Sequence, residues 1–163
     1  MGYNLNVDGM DEISRMLSDL DERAPAAAAS ALYDGAGVMR DKIQQGTKDI
    51  AVAPFRFAPP GTRRAPSPEE KQVLLDHGVG IAKFDRDGTE VSTSVGLSGS
   101  GYVDWFGKQK PVALIANSIN SGTSFMNKQP YFRKAVSAGS AQVEQTIVQA
   151  LEKSLGEITG GKT

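Results

Sequence analysis

The chain has 163 residues, eighteen Lys and Arg against nineteen Asp and Glu, a formal net charge of -1 at pH 7, and no cysteine. That length suits one domain able to bury a core without staples, and the missing thiols exclude disulfides, thiolate zinc sites and cysteine nucleophiles. The near-neutral balance speaks against a protein whose main task is to neutralise nucleic-acid phosphates, and no apolar run approaches the ~18 residues of a bilayer span.

Tyr3, Leu5 and Val7 alternate with Asn4 and Asn6, the pattern of a short half-buried strand, and Asp8-Gly9 then turns the chain. Residues 1–7 lack a basic stretch and a long apolar stretch, so no secretory signal is visible and cytoplasmic residence is the expectation. Ile13, Met16, Leu17 and Leu20 recur at helical spacing, with Asp11 and Glu12 at the end where the helix dipole favours acids. Asp19, Asp21 and Glu22 give this first helix an acidic face, which is either a solvated surface or half of a charge-steered contact.

Pro25 fits the first turn of a second helix over residues 26–45, with Ala28, Leu32, Ala36, Met39 and Ile43 on one side. Gly35 and Gly37 lower helix propensity there. They mark either a close approach by another element or a kink. Gly46 is expected to end this helix, and residues 47–67, with prolines at 54, 59, 60 and 66, read as a long functional loop. Phe55, Arg56 and Phe57, then Arg63 and Arg64, form a basic aromatic stretch suited to a partner surface or a phosphate backbone.

Ser67, Pro68 and Glu70 match an N-cap, a first-turn proline and a capping-box acid, opening a short helix through Leu75 that stops at His77-Gly78. The period then changes to two: residues 81–85, a turn at Arg86-Asp87-Gly88, and residues 89–97 predict a β-hairpin. Tyr102, Val103, Trp105 and Phe106 supply a third strand or an anchored loop. Residues 111–119 read as a short apolar helix or strand, residues 120–127 are rich in turn formers, and Pro130 starts the longest helix, with an apolar stripe from Ala135 to Leu155. Residues 157–163 are expected to form a flexible tail after one domain at 1–156.

Catalysis needs a nucleophile with its base and orienter, or a metal cluster, and the raw material is thin. His77 is the only histidine; it sits where a histidine favours the last carbonyls of a helix. No serine lies in a Gly-x-Ser-x-Gly elbow. The carboxylate pairs at 69–70, 85–87 and 11–12 all fall in caps or turns, where acids serve local conformation. Residues 85–88 lack the ligand spacing and closing Glu of a calcium loop. The Gly-Gly-Lys-Thr ending lacks the helix a phosphate loop must open. No catalytic residue, metal site or cofactor is assigned, and the expected fold class is α+β: an N-terminal helix pair and a long C-terminal helix packed on a small, mainly antiparallel β-sheet.

The order of these features, with residues 28–43, residues 74–97, Asn120-Ser121-Gly122-Thr123 and Pro130-Tyr131-Phe132-Arg133-Lys134-Ala135, resembles the tail-completion family of long-tailed bacteriophages, the head–tail joining or minor tail proteins of the neck. Ser121 departs from the acid that often precedes the family's Gly-Thr pair, and Pro60-Gly61-Thr62 from its Pro-x-x-Thr-Gly loop. The resemblance implies a structural virion protein, not an enzyme, assembled in the host cytoplasm. It implies a homo-oligomeric ring, sixfold to match a tail tube, that meets neck or connector proteins and tube or terminator proteins. DNA would pass only through the lumen, and no membrane is involved. Candidate interface residues are Phe55, Arg56, Phe57, Arg63 and Arg64, the acidic Asp19 and Glu22, and Tyr131, Phe132 and Arg133 at the start of the last helix. Two other readings remain open: a small hydrolase or transferase, and a nucleic-acid-contacting module built on the Arg/Phe loop.

Overall fold

The computed structural model describes residues 10–53, 59–87, 90–96, 101–105 and 107–160, with side chains for 23–53, 59–85, 91–96, 101–104 and 107–158. The strand expected at residues 3–7 lies outside the described residues. The architecture is α+β, in the order α1 Met10–Lys48, α2 Pro68–His77, β1 Gly80–Ile81, β2 Asp85–Asp87, β3 Glu90–Ser92, β4 Val95–Gly96, β5 Tyr102–Trp105, β6 Lys108–Pro111, α3 Val112–Ser121 and α4 Tyr131–Gly160.

Two long helices replace the expected three. A proline inside a helix lacks a donor and crowds the carbonyl of the preceding turn, at a cost of about 3 kcal/mol, so the sequence predicts a break at Pro25. Instead α1 runs through Pro25 without interruption and continues past Gly46 to Lys48. The reason lies in α4, which packs antiparallel along α1 and extends to Gly160, beyond the domain end expected at residue 156. Gly35 is a place of close approach. A Cβ added there would stand 2.6 Å from Cγ1 of Ile147 and 3.4 Å from Cγ1 of Val143. At Gly37 the same atom would meet nothing within 4 Å. The close-approach reading therefore holds for Gly35 and not for Gly37.

The core gathers where the C-terminal half of α1 meets α2, α3 and the first turns of α4. Ile43, Ile50, Leu74, Val112, Ile115, Ala116, Ile119, Met126, Tyr131 and Ala135 form one buried cluster, flanked by Met39, Val73, Val79, Val95, Val103, Phe132 and Val136. Among the described residues of α1 N-terminal to Met39, the fully buried side chains are the small ones of Ala31 and Ala36. The molecule is thus a compact head with a two-helix arm.

The β region is antiparallel throughout its named strands. Ile81 faces Val95 and Asp85 faces Ser92 in one interrupted ribbon, which the Ala82 N–H donating to the Ser94 carbonyl helps to hold. The third strand exists as β5, paired with β6 at Tyr102↔Pro111 through Trp105↔Lys108. Nothing in the polar Lys108-Gln109-Lys110 run signals β6 in advance. Residues 112–121, ambiguous as sequence, are helical: Val112, Ile115, Ala116 and Ile119 fall on one buried face at three- and four-residue spacing.

Candidate protein interface

Residues 59–67 begin as a turn and end as a helix cap. Pro60 and Gly61 occupy its two central positions, the Thr62 N–H donates to the Pro59 carbonyl, and Gly61 takes φ of 79°, a left-handed conformation that glycine adopts without a Cβ penalty. At the far end the Ser67 hydroxyl accepts from the Glu70 N–H, while the Glu70 carboxylate accepts from the Ser67 N–H at 2.7 Å. That is the capping box the sequence predicts, and it opens α2 as expected.

The same carboxylate holds Arg64. Arg64 Nη1 donates to Glu70 Oε2 and Nη2 to Oε1, both at 2.6 Å, and Nη1 also reaches the Ala65 carbonyl. Arg64 is only 8% exposed. As an interface cation it is therefore corrected: its charge is neutralised inside the fold by a fork-to-fork pair, because the cap already places Glu70 beneath the loop. Arg63, one residue earlier, is exposed.

Arg64 also joins this loop to the segment after α3. Its backbone N–H donates to the Phe125 carbonyl and its own carbonyl accepts from the Asn127 N–H, a parallel bridge beside Met126. The segment is shaped by the Gly-Thr pair. Gly122 takes φ of 78°, with a would-be Cβ only 3.0 Å from Cβ of Lys128, and the Thr123 hydroxyl accepts from the N–H groups of Phe125 and Met126. A third strand of chain closes the arrangement. Ala51 exchanges two hydrogen bonds with the Gln129 side-chain amide, Ala53 N–H donates to the Pro66 carbonyl, and the Lys71 ammonium donates to the carbonyls of Lys48 and Ile50 at the end of α1.

The result is one platform made from three stretches: 50–53, 59–67 and 122–129. Two of the regions singled out in the sequence, the proline-rich loop and the lead-in to the last helix, are brought together there. Phe125 is 53% exposed on it, Val52 is exposed too, and so are Lys128 and, on the first turn of α4, Arg133 and Lys134. Sequence reading missed Phe125, Val52 and Lys128. A large apolar residue stranded in the polar turn sequence Gly-Thr-Ser-Phe was the available signal for the first of them.

The other predicted residues fall as follows. Phe55, Arg56 and Phe57 lie outside the described residues, and the side chains of Asp19 and Glu22, on α1, do as well. Tyr131 is corrected as an interface candidate, being 6% exposed in the chain's own core, where its hydroxyl finds no partner. Burial pushes that hydroxyl's pKa up from 10.0 to about 12, since desolvation disfavours the tyrosinate. Phe132 is half-buried against the same core, and Arg133 is exposed. A second exposed aromatic site joins Tyr33 of α1 to Phe84, with ring centroids 6.0 Å apart.

For chemistry, His77 is exposed in the last turn of α2, and its neighbour Asp76 accepts a hydrogen bond from the Gln72 side chain rather than from the imidazole. Among the described residues no three His, Cys, Asp or Glu side chains are grouped to hold a metal, and no helix is long and apolar enough to cross a membrane. Among its described residues the platform offers no catalytic grouping; it presents an exposed phenylalanine and exposed cations on a hydrogen-bonded base. In comparison with known proteins, no family model, curated protein or solved structure matches the chain.

Proposed function

We propose that this chain is a structural subunit of a bacteriophage tail, forming a ring at the neck end that completes the tail and joins it to the head. One observation carries the reading: the Gly-Thr segment, an anchor of the resemblance in sequence, converges with the proline-rich loop on a single hydrogen-bonded platform with an exposed phenylalanine and exposed cations. Such a surface suits protein contact, because a preorganised base spares the loop-ordering entropy that association otherwise loses. Its partners are further copies of the chain, the connector above and the tube or terminator protein below.

The supporting geometry extends to both ends of the molecule. A ring needs two different complementary surfaces on each subunit, and the platform lies at the opposite end of α1 from the acidic segment. The test is genetic and morphological. In a phage lacking a working copy of this gene, heads and tails should accumulate unjoined under the electron microscope, and purified protein should restore joining. Joined, infectious particles made without it would contradict the proposal.

A further inference from the structure

The two ends of the α1–α4 pair differ in charge and in what lies beside them. Gly46 meets Tyr131 and Ala135, Lys42 and Met39 meet Gly139, and Gly35 meets Val143 and Ile147, so the register is antiparallel and steady. Extended at the same rate, it brings Gly160, the last residue of α4, beside roughly residue 20 of α1, and the first turns of α1 continue about 15 Å past it at 1.5 Å per residue. That overhang lies beyond the described end of α4.

In sequence the overhang and the turn behind it hold Asp11, Glu12, Asp19, Asp21 and Glu22 against Arg15 and Arg23, with Ile13, Met16, Leu17 and Leu20 at helical spacing. The opposite end has the opposite character. Residues 59–68 and 122–135 contain five cations and no acid; Arg64 is neutralised by Glu70, while Arg63, Lys128, Arg133 and Lys134 are exposed, as are Phe125 and Val52.

We propose that the platform receives the acidic first turns of α1 from a second copy of the chain, head to tail. The inference rests on the assembly reading above and names the contact that builds it. Two acidic ends facing each other, or two platforms, would set like charges together, whereas head-to-tail docking sets opposite charges together and offers Phe125 an apolar helix face. A contact of that kind is heterologous, so it closes into a ring where the rotation per subunit completes a turn and otherwise runs on as a filament. Arg63 and Lys128 orient the incoming helix, and Phe125 supplies the desolvated anchor.

The absence of native cysteine makes a clean test. Full-length Asp19→Cys and Lys128→Cys are prepared separately, mixed, and treated with a flexible bis-maleimide, alone and with isolated tails. Covalent dimers are expected in the mixture and not in either variant alone. Oligomers or tail-bound protein that cross-link only like with like, or not at all in the mixture, overturn the head-to-tail contact and leave the assembly reading standing. Protein that neither self-associates nor binds tails overturns both. A second measurement keeps folding out of the result: Arg63→Glu with Lys128→Glu should weaken self-association about tenfold or more, at unchanged helical circular dichroism. Adding Asp19→Lys and Glu22→Lys to the same chain should restore it. A combined variant as weak as the first shows that the two ends do not meet.

Discussion

Arg64 shows how one residue changes meaning between sequence and fold. In the run Gly-Thr-Arg-Arg-Ala it reads as an exposed cation, yet it forms two 2.6 Å hydrogen bonds to a carboxylate that is itself buried. The cap was legible, because Ser-Pro-x-Glu states its own local geometry; the pair was not, because it depends on a turn six residues away bringing the guanidinium back over α2. Removing one partner leaves a buried charge without its counterpart, so Glu70→Gln should destabilise the fold by about 3–5 kcal/mol, while Arg64→Met with Glu70→Gln, which keeps an acceptor for the Ser67 N–H, should recover much of that loss. Equilibrium unfolding in urea of the three proteins checks it. Tyr131 carries a pH signature. Its hydroxyl titrates near 10.0 when exposed and near 12 when buried, so between those values the unfolded chain releases a proton that the folded chain keeps. The stability this contributes is complete below pH 10 and falls by about 2–3 kcal/mol as pH rises to 12. Tyr131→Phe should flatten that alkaline decline, and at neutral pH it should leave stability unchanged or raised by about 1 kcal/mol, since it removes a buried hydroxyl with no partner. Melting temperatures of both proteins from about pH 7 to about pH 12 would show both effects.

At the scale of elements, periodicity carried most of the fold. The apolar stripe of α4, the capping box of α2 and the alternation in β3 and β4 were all readable, because each depends on neighbours a few positions away. The misjudged elements depend on distant partners. Pro25 breaks an isolated helix but not one backed by α4, β6 has no apolar alternation and exists only through its ladder with β5, and the choice between helix and strand at residues 112–121 was settled by the core beneath it. The interface between α1 and α4 makes a paired prediction. Gly35→Ala and Gly37→Ala gain the same propensity, about 1 kcal/mol in a helix interior. Only the first meets Ile147, at 2.6 Å, and overpacking of that kind costs about 1–3 kcal/mol. Gly37→Ala should therefore raise the stability measured by thermal unfolding, and Gly35→Ala should fall below it by the overpacking cost. Equal stabilities would show that the two helices are not in this contact.

For the whole molecule, a head with a consolidated core is joined to an arm of two helices whose described, fully buried side chains are small ones, Ala31 and Ala36. Among the described residues of that arm, Val148 remains exposed along α4. That leaves apolar surface for contact outside the chain. The platform of the head was half legible: its loop stood out in the sequence by its prolines and arginines, but its convergence with the Gly-Thr segment rests on backbone hydrogen bonds that no local pattern announces. The claim that unites these features is that the chain works as a repeated assembly part. Its most direct test is the native mass of the full-length protein, free and bound to isolated tails. The account predicts discrete multiples of the protomer mass, with a closed ring at one end of each tail. A monomer at every concentration that leaves tails bare would contradict it.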